Sequence, residues 1–330
     1  MILEPAMANS AGSYEWGSIL QPWMSWLGLD EQGNVLIGLL CFIQPAILFL
    51  LLPFMCPIFF LSMEYLSVLF LYVQRYRGLI SNNFSYASAE ASRKILAKYW
   101  CLWSQIWHGY EVHGMENIPD TGPALIIFFH GHAPVDYFYF LGRLMLQKER
   151  SCRTVADFTV FKIPGLGPLL SAFGVIPGPQ STCVQILESG HLLGISPGGV
   201  REAVLSDSNY TVVWRSRTGF AQVALTAGVP IIPMFTKNLQ ESCYIVNFFR
   251  FVNWFYERTG IIFPLIYGFF PVKLCTYIGK PIPHDPSLTA SKLAAKTKQA
   301  MESLINEHQT LPGNLLVALA ERFQGRPKRH

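Results

Sequence analysis

The chain has 330 residues, enough for one large catalytic domain together with a membrane segment. Charged residues make up only 14% of the sequence and hydrophobic residues 51%, whereas an ordinary soluble domain carries about 25% charged residues. This balance argues against a protein whose whole surface faces water, and we expect lipid partners and no nucleic acid. The charge is unevenly placed, because residues 1–74 contain no Lys or Arg and all 25 basic residues lie from Arg75 onward.

An almost continuous apolar run covers residues 34–74. It is about twice as long as the roughly 20 residues that one membrane-spanning helix needs. Pro53 and Pro57 interrupt the run, and proline removes a backbone donor and clashes with the preceding turn. We therefore predict a transmembrane hairpin of two helices, near 35–52 and 58–73, with one long kinked span as the alternative.

Basic residues directly after the apolar run set the expected orientation. Arg75 and Arg77 follow it at once, and positively charged flanks stay on the cytoplasmic side of a membrane. We therefore expect the rest of the chain to face the cytosol. A hairpin would place the N-terminal segment, residues 1–33, in the cytosol as well, whereas a single span would place it in the lumen.

Helix-like and strand-like segments alternate along the rest of the chain. Six segments have helical spacing of apolar residues and are predicted as helices: 84–110, 135–146, 164–173, 181–190, 219–228 and 287–308. Seven segments are predicted as strands: a short one within 110–123, then 124–129, 154–160, 174–178, 191–196, 229–235 and 272–279. This alternation predicts an α/β domain over residues 80–315, with a largely parallel mixed sheet flanked by helices, followed by a basic tail at 316–330.

Two histidines and an aspartate follow the strand-like run 124–129, in the sequence HGHAPVD. Pro134 suits the first turn of the next helix, which places Asp136 in that turn and His130 at the end of the strand. Ligands gather at the carboxyl ends of strands in α/β sheets, and a carboxylate can fix the tautomer of a catalytic histidine. His130 is therefore a candidate general base with Asp136 as its partner, and His132 is the rival base.

Two other interpretations of this stretch remain open. The His–Asp arrangement could serve structure alone, or the H-x-H pattern could bind zinc in a metal-dependent hydrolase. A zinc site would need further ligands from His108, His113 or His191, and no short spacing supports that. No metal is expected.

Four blocks in a fixed order resemble a known family. They are HGHAPVD (130–136), FGVIPGP (173–179), ISPGGVREA (195–203) and VPIIPMF (229–235). Over residues 95–315 the chain resembles the glycerolipid acyltransferase superfamily, and within it the transmembrane protein 68 family. The resemblance implies an O-acyltransferase of the endoplasmic reticulum membrane whose catalytic domain faces the cytosol, with His130 as general base and Asp136 as its partner.

The blocks also supply predicted substrate-binding positions. These are His132, Gly174, Pro177, Gly178, Ser196, Pro197, Gly198, Gly199 and Arg201. The backbone N–H groups of Gly198 and Gly199 could face a tetrahedral oxyanion, or the pair could form a plain tight turn. Arg201 could meet the phosphates of an acyl donor, or it could pair with Glu202 or Asp207 in a structural ion pair.

Departures from the superfamily pattern bear on the acceptor. In phosphate-accepting members the second block ends with arginine and the third block reads F-P-E-G-T-R. In this chain the second block carries no cation, and in the third block Gly199 or Gly198 stands where that Glu is expected. Arginine suits bidentate phosphate binding, so its loss favours a neutral acceptor, diacylglycerol or monoacylglycerol, with triacylglycerol as product. Rival functions are a lysophospholipid acyltransferase and a non-catalytic lipid-binding membrane protein.

No cofactor is expected, because the acyl donor, either acyl-CoA or a membrane phospholipid, is itself a substrate. The aromatic-rich insertion 243–270 is predicted to rest on the membrane surface or to line an acyl channel, with ordinary core packing as the alternative.

Overall fold

The computed structural model of this chain describes residues 31–245 and 266–324. Ten α-helices lie within these ranges: α1 (Glu31–Tyr76), α2 (Glu90–His108), α3 (Val135–Gln147), α4 (Gly167–Ala172), α5 (Gln180–Glu188), α6 (Gly199–Leu205), α7 (Gly219–Ala227), α8 (Leu239–Ser242), α9 (Ala290–His308) and α10 (Leu315–Phe323). The six helices predicted from apolar spacing occur as α2, α3, α4, α5, α7 and α9, with ends that differ by a few residues.

Nine strands lie within the same ranges: β1 (Glu111–His113), β2 (Ala124–Phe128), β3 (Cys152–Ala156), β4 (Val175–Pro177), β5 (Leu192–Ile195), β6 (Ile231–Lys237), β7 (Cys243–Ile245), β8 (Ile266–Gly268) and β9 (Cys275–Ile278). Seven of them form one sheet in the order β1-β9-β6-β2-β5-β3-β4. The run from β6 to β4 is parallel, and β9 pairs antiparallel with β6. This mixed, mostly parallel sheet confirms the predicted α/β fold.

Strand β2 is buried on both faces, as its continuous apolar sequence predicts. It lies between β5 and β6. Successive side chains of a strand point to opposite faces, so Ile126 and Phe128 join the core on one face of the sheet, while Leu125 and Ile127 join the core on the other. The residues that follow β2 therefore emerge near the middle of the sheet.

Of the two predicted alternatives, the structure has a single helix and not the two helices of a hairpin, because α1 is one helical element of 46 residues. A proline inside a helix costs about 3 kcal/mol, but a break would leave up to about four donors and four acceptors unpaired at the new helix ends. Between Pro45 and Leu61 there is no Gly, Asn, Asp or Ser to cap such ends. The helix therefore continues through Pro53 and Pro57.

The second half of α1 carries apolar side chains on both its buried face and its exposed face. Phe60 and Leu71 are buried against the α/β domain, whereas Ile58, Leu66 and Leu69 are exposed. Within the described residues, Leu51–Tyr76 is the one segment long and apolar enough to cross a membrane.

The chain divides into two compact units, residues 1–52 and 53–330. Residues 31–52 of the first unit are helical, and the second unit holds the remainder of α1 and the whole α/β domain. Residues 1–30, most of the aromatic-rich insertion (246–265) and the end of the basic tail (325–330) lie outside the described residues.

Five elements were not predicted. Helix α6 lies in a stretch that reads as polar loop, the short helix α8 follows β6, strands β7 and β8 form a two-stranded ribbon at the two ends of the insertion, and α10 occupies the first part of the predicted tail. The strand predicted at 154–160 ends at Ala156, because the Asp157 carboxylate accepts hydrogen bonds from the backbone N–H and hydroxyl of Thr159. Such a local side-chain turn competes with a strand ladder.

Candidate active site

His130 lies just past the carboxyl end of β2, where the sequence predicts it. The preceding residue, Phe129, still donates its N–H to the Met234 carbonyl of β6 at 3.2 Å, and the chain then leaves the sheet. The His130 Nδ1 atom lies 2.8 Å from the Gly131 carbonyl oxygen. A carbonyl only accepts hydrogen bonds, so Nδ1 carries the proton and the lone pair of the neutral ring is at Nε2.

This arrangement leaves the basic nitrogen of His130 available. Among the described residues, Nε2 has no hydrogen-bond partner in the protein, and His130 lines a cavity of about 330 Å³. A general base needs a free lone pair within reach of a substrate proton. His130 meets this requirement without any rearrangement of its ring.

Asp136 lies in the first turn of α3, as predicted, but it makes no hydrogen bond to His130 within the described structure. Its Oδ2 accepts a hydrogen bond from Thr236 Oγ1 of β6 at 2.6 Å, and its Oδ1 is buried without a partner among the described residues. The predicted pairing is therefore not present in this structure, and the Gly131 carbonyl holds the His130 tautomer instead. A catalytic role for Asp136 stays a prediction.

The Asp136 carboxyl belongs to a buried chain of hydroxyl groups. Thr236 Oγ1 lies 2.8 Å from Thr276 Oγ1, which lies 2.8 Å from Tyr110 Oη. Burial raises the pKa of Asp136 to about 7, although the Thr236 hydrogen bond opposes the change. A buried carboxyl with one unpaired oxygen is costly for the fold, and such groups concentrate at functional sites.

Burial lowers the pKa of His130, while the Gly131 hydrogen bond and the negative charge of Asp157 oppose that change. The ring is therefore neutral at pH 7, the form that a base requires. Asp157 follows β3 and lines the same cavity. It is an acidic group that acts on His130 and that the sequence pattern did not indicate.

Glu202 is a second carboxyl, which the sequence offered as one possible ion-pair partner of Arg201. Its side chain is fully buried. The Oε2 atom accepts the His130 backbone N–H at 2.9 Å, and Oε1 accepts the Val213 N–H at 3.2 Å. Burial raises its pKa to about 7. The carboxyl thus joins the end of β2, helix α6 and the loop before α7. In the sequence, this role was indicated only by the presence of a Glu inside the third block.

We expect Glu202→Gln to lower kcat by about 10-fold or more and to change KM less, because an amide has one acceptor and cannot receive both backbone N–H groups. Small displacements of a reacting group are costly in rate, up to about 10²-fold for 1 Å. Steady-state kinetics of the variant and of Glu188→Gln, an exposed carboxyl on α5, measure this. Equal kcat for Glu202→Gln and the unmodified protein would show that Glu202 does not position His130.

Residues from the first three of the four sequence blocks line the cavity. Phe138, Leu141 and Leu170 supply apolar wall, and polar groups sit near His130. Of the predicted substrate-binding residues, four line this cavity: Gly178, Ser196, Gly199 and Arg201. Pro197 lines a second, adjoining cavity of about 280 Å³.

The remaining predicted residues lie outside the lining of both cavities. Gly174 has φ +66° at the start of β4, where a Cβ would lie 2.7 Å from side-chain atoms of Arg153 and Tyr86, so its role here is backbone geometry. Pro177 ends β4 beside Ala156. His132 Nδ1 lies 2.5 Å from the Ala203 carbonyl oxygen, which makes this ring a brace between the HGHAPVD turn and α6.

The turn from Ser196 to Gly199 adjoins both cavities. Gly199 has φ +53°, a conformation that favours glycine, and its N–H lies 3.3 Å from Ser196 Oγ. Arg217 donates from Nη1 to the carbonyls of Pro197 and Gly198, at 2.8 and 3.2 Å. Sequence reasoning missed Arg217, because no spacing links it to the turn that it holds. The proposed oxyanion role of the glycines stays a prediction.

Arg201 is exposed and lines the first cavity. Neither predicted ion-pair partner contacts it, because Glu202 binds two backbone N–H groups and Asp207 binds Asn209 and Thr211. Its guanidinium has no hydrogen bond or ion pair within the described ranges. The described structure therefore does not support a structural ion pair between Arg201 and Glu202 or Asp207.

A possible metal-ligating group lies elsewhere in the described structure. Potential ligand atoms of Glu111, His113 and Cys275 lie within 4.8 Å of one another. These residues belong to β1 and β9, whereas the cavity lies at β2, β3, β4 and β5. Lys273 Nζ is 2.6 Å from Glu111, so a cation already neutralises that carboxylate. Within the described residues, His108 and His191 do not join His130 and His132.

Comparisons with known proteins identify chains that this one resembles. A family model described as Acyltransferase matches residues 109–237, the part of the chain from β1 to β6. The structure of the 1-acyl-sn-glycerophosphate acyltransferase PlsC from Thermotoga maritima superposes with a TM-score of 0.49 and 14% identity, over 74% of this chain and 96% of that chain, a likeness too low to bear on substrate.

Two relatives match along nearly their whole length. A Bos taurus protein described as "DGAT1/2-independent enzyme synthesizing storage lipids" is 47% identical over 310 residues, which cover 94% of this chain and 91% of its own. A Homo sapiens protein of the same description is 48% identical over 305 residues, covering 92% and 93%. Identity this high and this extensive means that the chain belongs to their family, the transmembrane protein 68 family of the glycerolipid acyltransferase superfamily, and is an acyltransferase acting on lipid.

Proposed function

We propose that this protein is a membrane-bound O-acyltransferase that transfers a fatty acyl chain to the hydroxyl of diacylglycerol or monoacylglycerol, with triacylglycerol as the product from diacylglycerol. The observation that carries the proposal is His130, with its proton held on Nδ1 and its Nε2 free, in the lining of a largely apolar cavity. The description of its relatives as enzymes synthesizing storage lipids supports this product class.

His130 acts as general base in the proposed reaction. Nε2 takes the proton of the acceptor hydroxyl while that oxygen bonds to the acyl carbonyl carbon, which forms a tetrahedral oxyanion. The oxyanion collapses, the bond from carbon to the donor's sulfur or oxygen breaks, and the leaving group takes the proton from His130. Backbone N–H groups near Gly198 and Gly199 face the oxyanion in this scheme.

The acceptor is a neutral lipid in this proposal, for two reasons. The second sequence block has no cation, and the cavity walls near His130 are apolar side chains such as Phe128, Tyr137 and Phe138. An apolar wall suits the acyl chains and glycerol backbone of a neutral lipid, and the arginines of the same lining, Arg201 and Arg217, are available to a phosphorylated donor.

Substrates enter from the bilayer, where α1 is embedded. Tyr65 of α1 donates a hydrogen bond to the Pro164 carbonyl at 2.7 Å, in the loop between β3 and α4. Val160 of this loop lines the cavity, while its neighbours Phe158 and Ile163 are exposed. Exposed apolar side chains beside an apolar helix favour contact with lipid. Following the charge of Arg75 and Arg77, the catalytic domain faces the cytosol, on the endoplasmic reticulum.

The function is tested with purified protein in phospholipid vesicles, supplied with a labelled acyl donor and one acceptor at a time. We expect labelled triacylglycerol with diacylglycerol and labelled diacylglycerol with monoacylglycerol, at rates at least about 10-fold above those with lysophosphatidic acid, since a phosphate placed against the apolar wall formed by Phe128 and Phe138 is penalised by more than about 1.4 kcal/mol. Faster acylation of lysophosphatidic acid would favour the lysophospholipid acyltransferase instead. No transfer to any acceptor would favour a lipid-binding protein.

A further inference from the structure

The second cavity has no role in the mechanism above. It has a volume of about 280 Å³ and lies beside the first, sharing with it the lining residues Val155, Gly178, Ser196 and Arg217. Its own walls include apolar side chains such as Ile195, Phe220 and Val223. The Ser196–Gly199 turn, which Arg217 holds, contributes lining residues to both spaces.

Arg217 lies at the boundary of the two cavities with unused hydrogen-bonding capacity. Only Nη1 is engaged, by the Pro197 and Gly198 carbonyls. Among residues 31–245 and 266–324, Nε and Nη2 have no partner and no carboxylate forms an ion pair with the guanidinium. The side chain is exposed, so a ligand in either cavity can reach it.

A second unpaired guanidinium, that of Arg201, lines the first cavity. The acidic group in the same lining is Asp157, whose carboxylate is bonded to Thr159 and acts on His130. The Pro197 and Gly198 carbonyls that accept hydrogen bonds from Arg217 are uncharged, so they do not neutralise its positive charge. The first cavity therefore carries two arginines, one of which, Arg217, lies at its boundary with the second, and guanidinium groups suit phosphate oxygens through bidentate hydrogen bonds.

We propose that Arg217 binds the phosphate of the acyl donor, and that the second cavity holds the part of the donor on which that phosphate is carried. This inference rests on the proposed function. The proposed acceptor is neutral, so the phosphorylated reactant is the donor, whether it is an acyl-CoA or a phospholipid. With its phosphate at Arg217, the donor extends its acyl carbonyl into the first cavity, towards His130 and the Ser196–Gly199 turn.

Arg217 also holds the turn, so the test must separate phosphate binding from turn geometry. Transfer to diacylglycerol is measured with three donors: an acyl-CoA, a phosphatidylcholine, and the same acyl chain as a thioester of N-acetylcysteamine, which has no phosphate. The variants are Arg217→Gln and Arg217→Lys. Arg215→Gln is the matched control, since Arg215 is an exposed arginine two residues away that lines neither cavity.

We expect Arg217→Gln to raise KM by about 10-fold or more for a phosphate-bearing donor, the size of one lost charge-assisted hydrogen bond, and to change KM for the phosphate-free thioester less than about 3-fold. Arg217→Lys should recover part of the loss, because charge is kept and the bidentate fork is lost. Arg215→Gln should match the unmodified protein. The phosphate-bearing donor whose KM changes in Arg217→Gln, either acyl-CoA or phosphatidylcholine, is identified as the donor that this site binds.

Equal loss with all three donors would overturn the inference and leave Arg217 as a support for the turn, with the proposed function intact. Unchanged KM for both phosphate-bearing donors would overturn it as well. Absence of transfer by the unmodified protein from every donor would instead refute the proposed function.

Discussion

Replacing His130 with alanine should lower kcat for acyl transfer to diacylglycerol by about 10²–10⁴-fold, the contribution of one positioned general base. The reason is that His130 is neutral, has its proton fixed on Nδ1 by the Gly131 carbonyl, and lines the cavity. The measurement is the initial rate of labelled triacylglycerol formation in vesicles at saturating donor. KM for the acceptor should change little, since proton removal belongs to the transition state.

His132→Ala is the informative comparison for this variant, because the sequence pattern admits either histidine as base. The His132 ring braces the turn through the Ala203 carbonyl and is outside the cavity lining, so we expect its loss to lower kcat by less than about 10-fold, within what one neutral hydrogen bond contributes. His191→Ala, on an exposed residue, controls for the loss of a histidine as such. A larger loss for His132→Ala than for His130→Ala would reverse the assignment.

Asp136→Asn should make the protein more stable and less active at the same time. Burial raises the pKa of Asp136 to about 7, so the folded protein keeps this proton to a higher pH than the unfolded chain does. The native state therefore loses stability as pH rises from about 4 to about 7, by about 2–3 kcal/mol between pH 5 and pH 8. Asparagine never ionises, so the stability difference between variant and unmodified protein should grow over that range.

The catalytic role that the family resemblance implies for Asp136 predicts that the activity of Asp136→Asn falls by about 10²-fold. Thermal unfolding in detergent at pH 5 and pH 8, together with kcat, measures both effects. Glu241→Gln is the control. Its carboxyl is also buried with a raised pKa, and it accepts a hydrogen bond from Tyr210. We expect the stability of that variant relative to the unmodified protein to grow with rising pH, and its kcat to be kept.

Full activity of Asp136→Asn would show that Asp136 serves only the buried chain with Thr236, Thr276 and Tyr110. A stability difference that does not change between pH 5 and pH 8 would show that its carboxyl is solvated in the native protein. Each outcome contradicts a separate part of the assignment, one the catalytic role and the other the burial.

The position of His130 could be predicted because it depends on local patterns. The run 124–129 is apolar without interruption, which is typical of a strand covered on both faces, and Pro134 marks the next helix start. These features together predict His130 at the carboxyl end of a strand, and the strand order of the structure puts that strand in the middle of the sheet. The ordered blocks then indicated the family, because blocks from separate segments can recur in one order only when a common fold brings them together.

The continuity of α1 could not be predicted from the prolines alone. The cost of Pro53 and Pro57 is local, whereas the cost of ending a helix depends on whether nearby side chains can cap the exposed backbone groups. The partners of Asp136 and Glu202 were missed for a related reason. Thr236 is 100 residues from Asp136, and Glu202 is 72 residues from the His130 N–H that it accepts, so no spacing in the sequence connects them.

The amino-acid sequence by itself determined the α/β class, the membership of the superfamily and the histidine at the strand end, because periodicity, proline positions and block order are properties of neighbouring residues. Only the tertiary structure decided which groups hold that histidine, that a carbonyl and not Asp136 keeps its proton on Nδ1, and that Arg217 joins two cavities. Those outcomes depend on which backbone groups and side chains meet when strands distant in the chain pack side by side, and on how much water the packing removes around each of them.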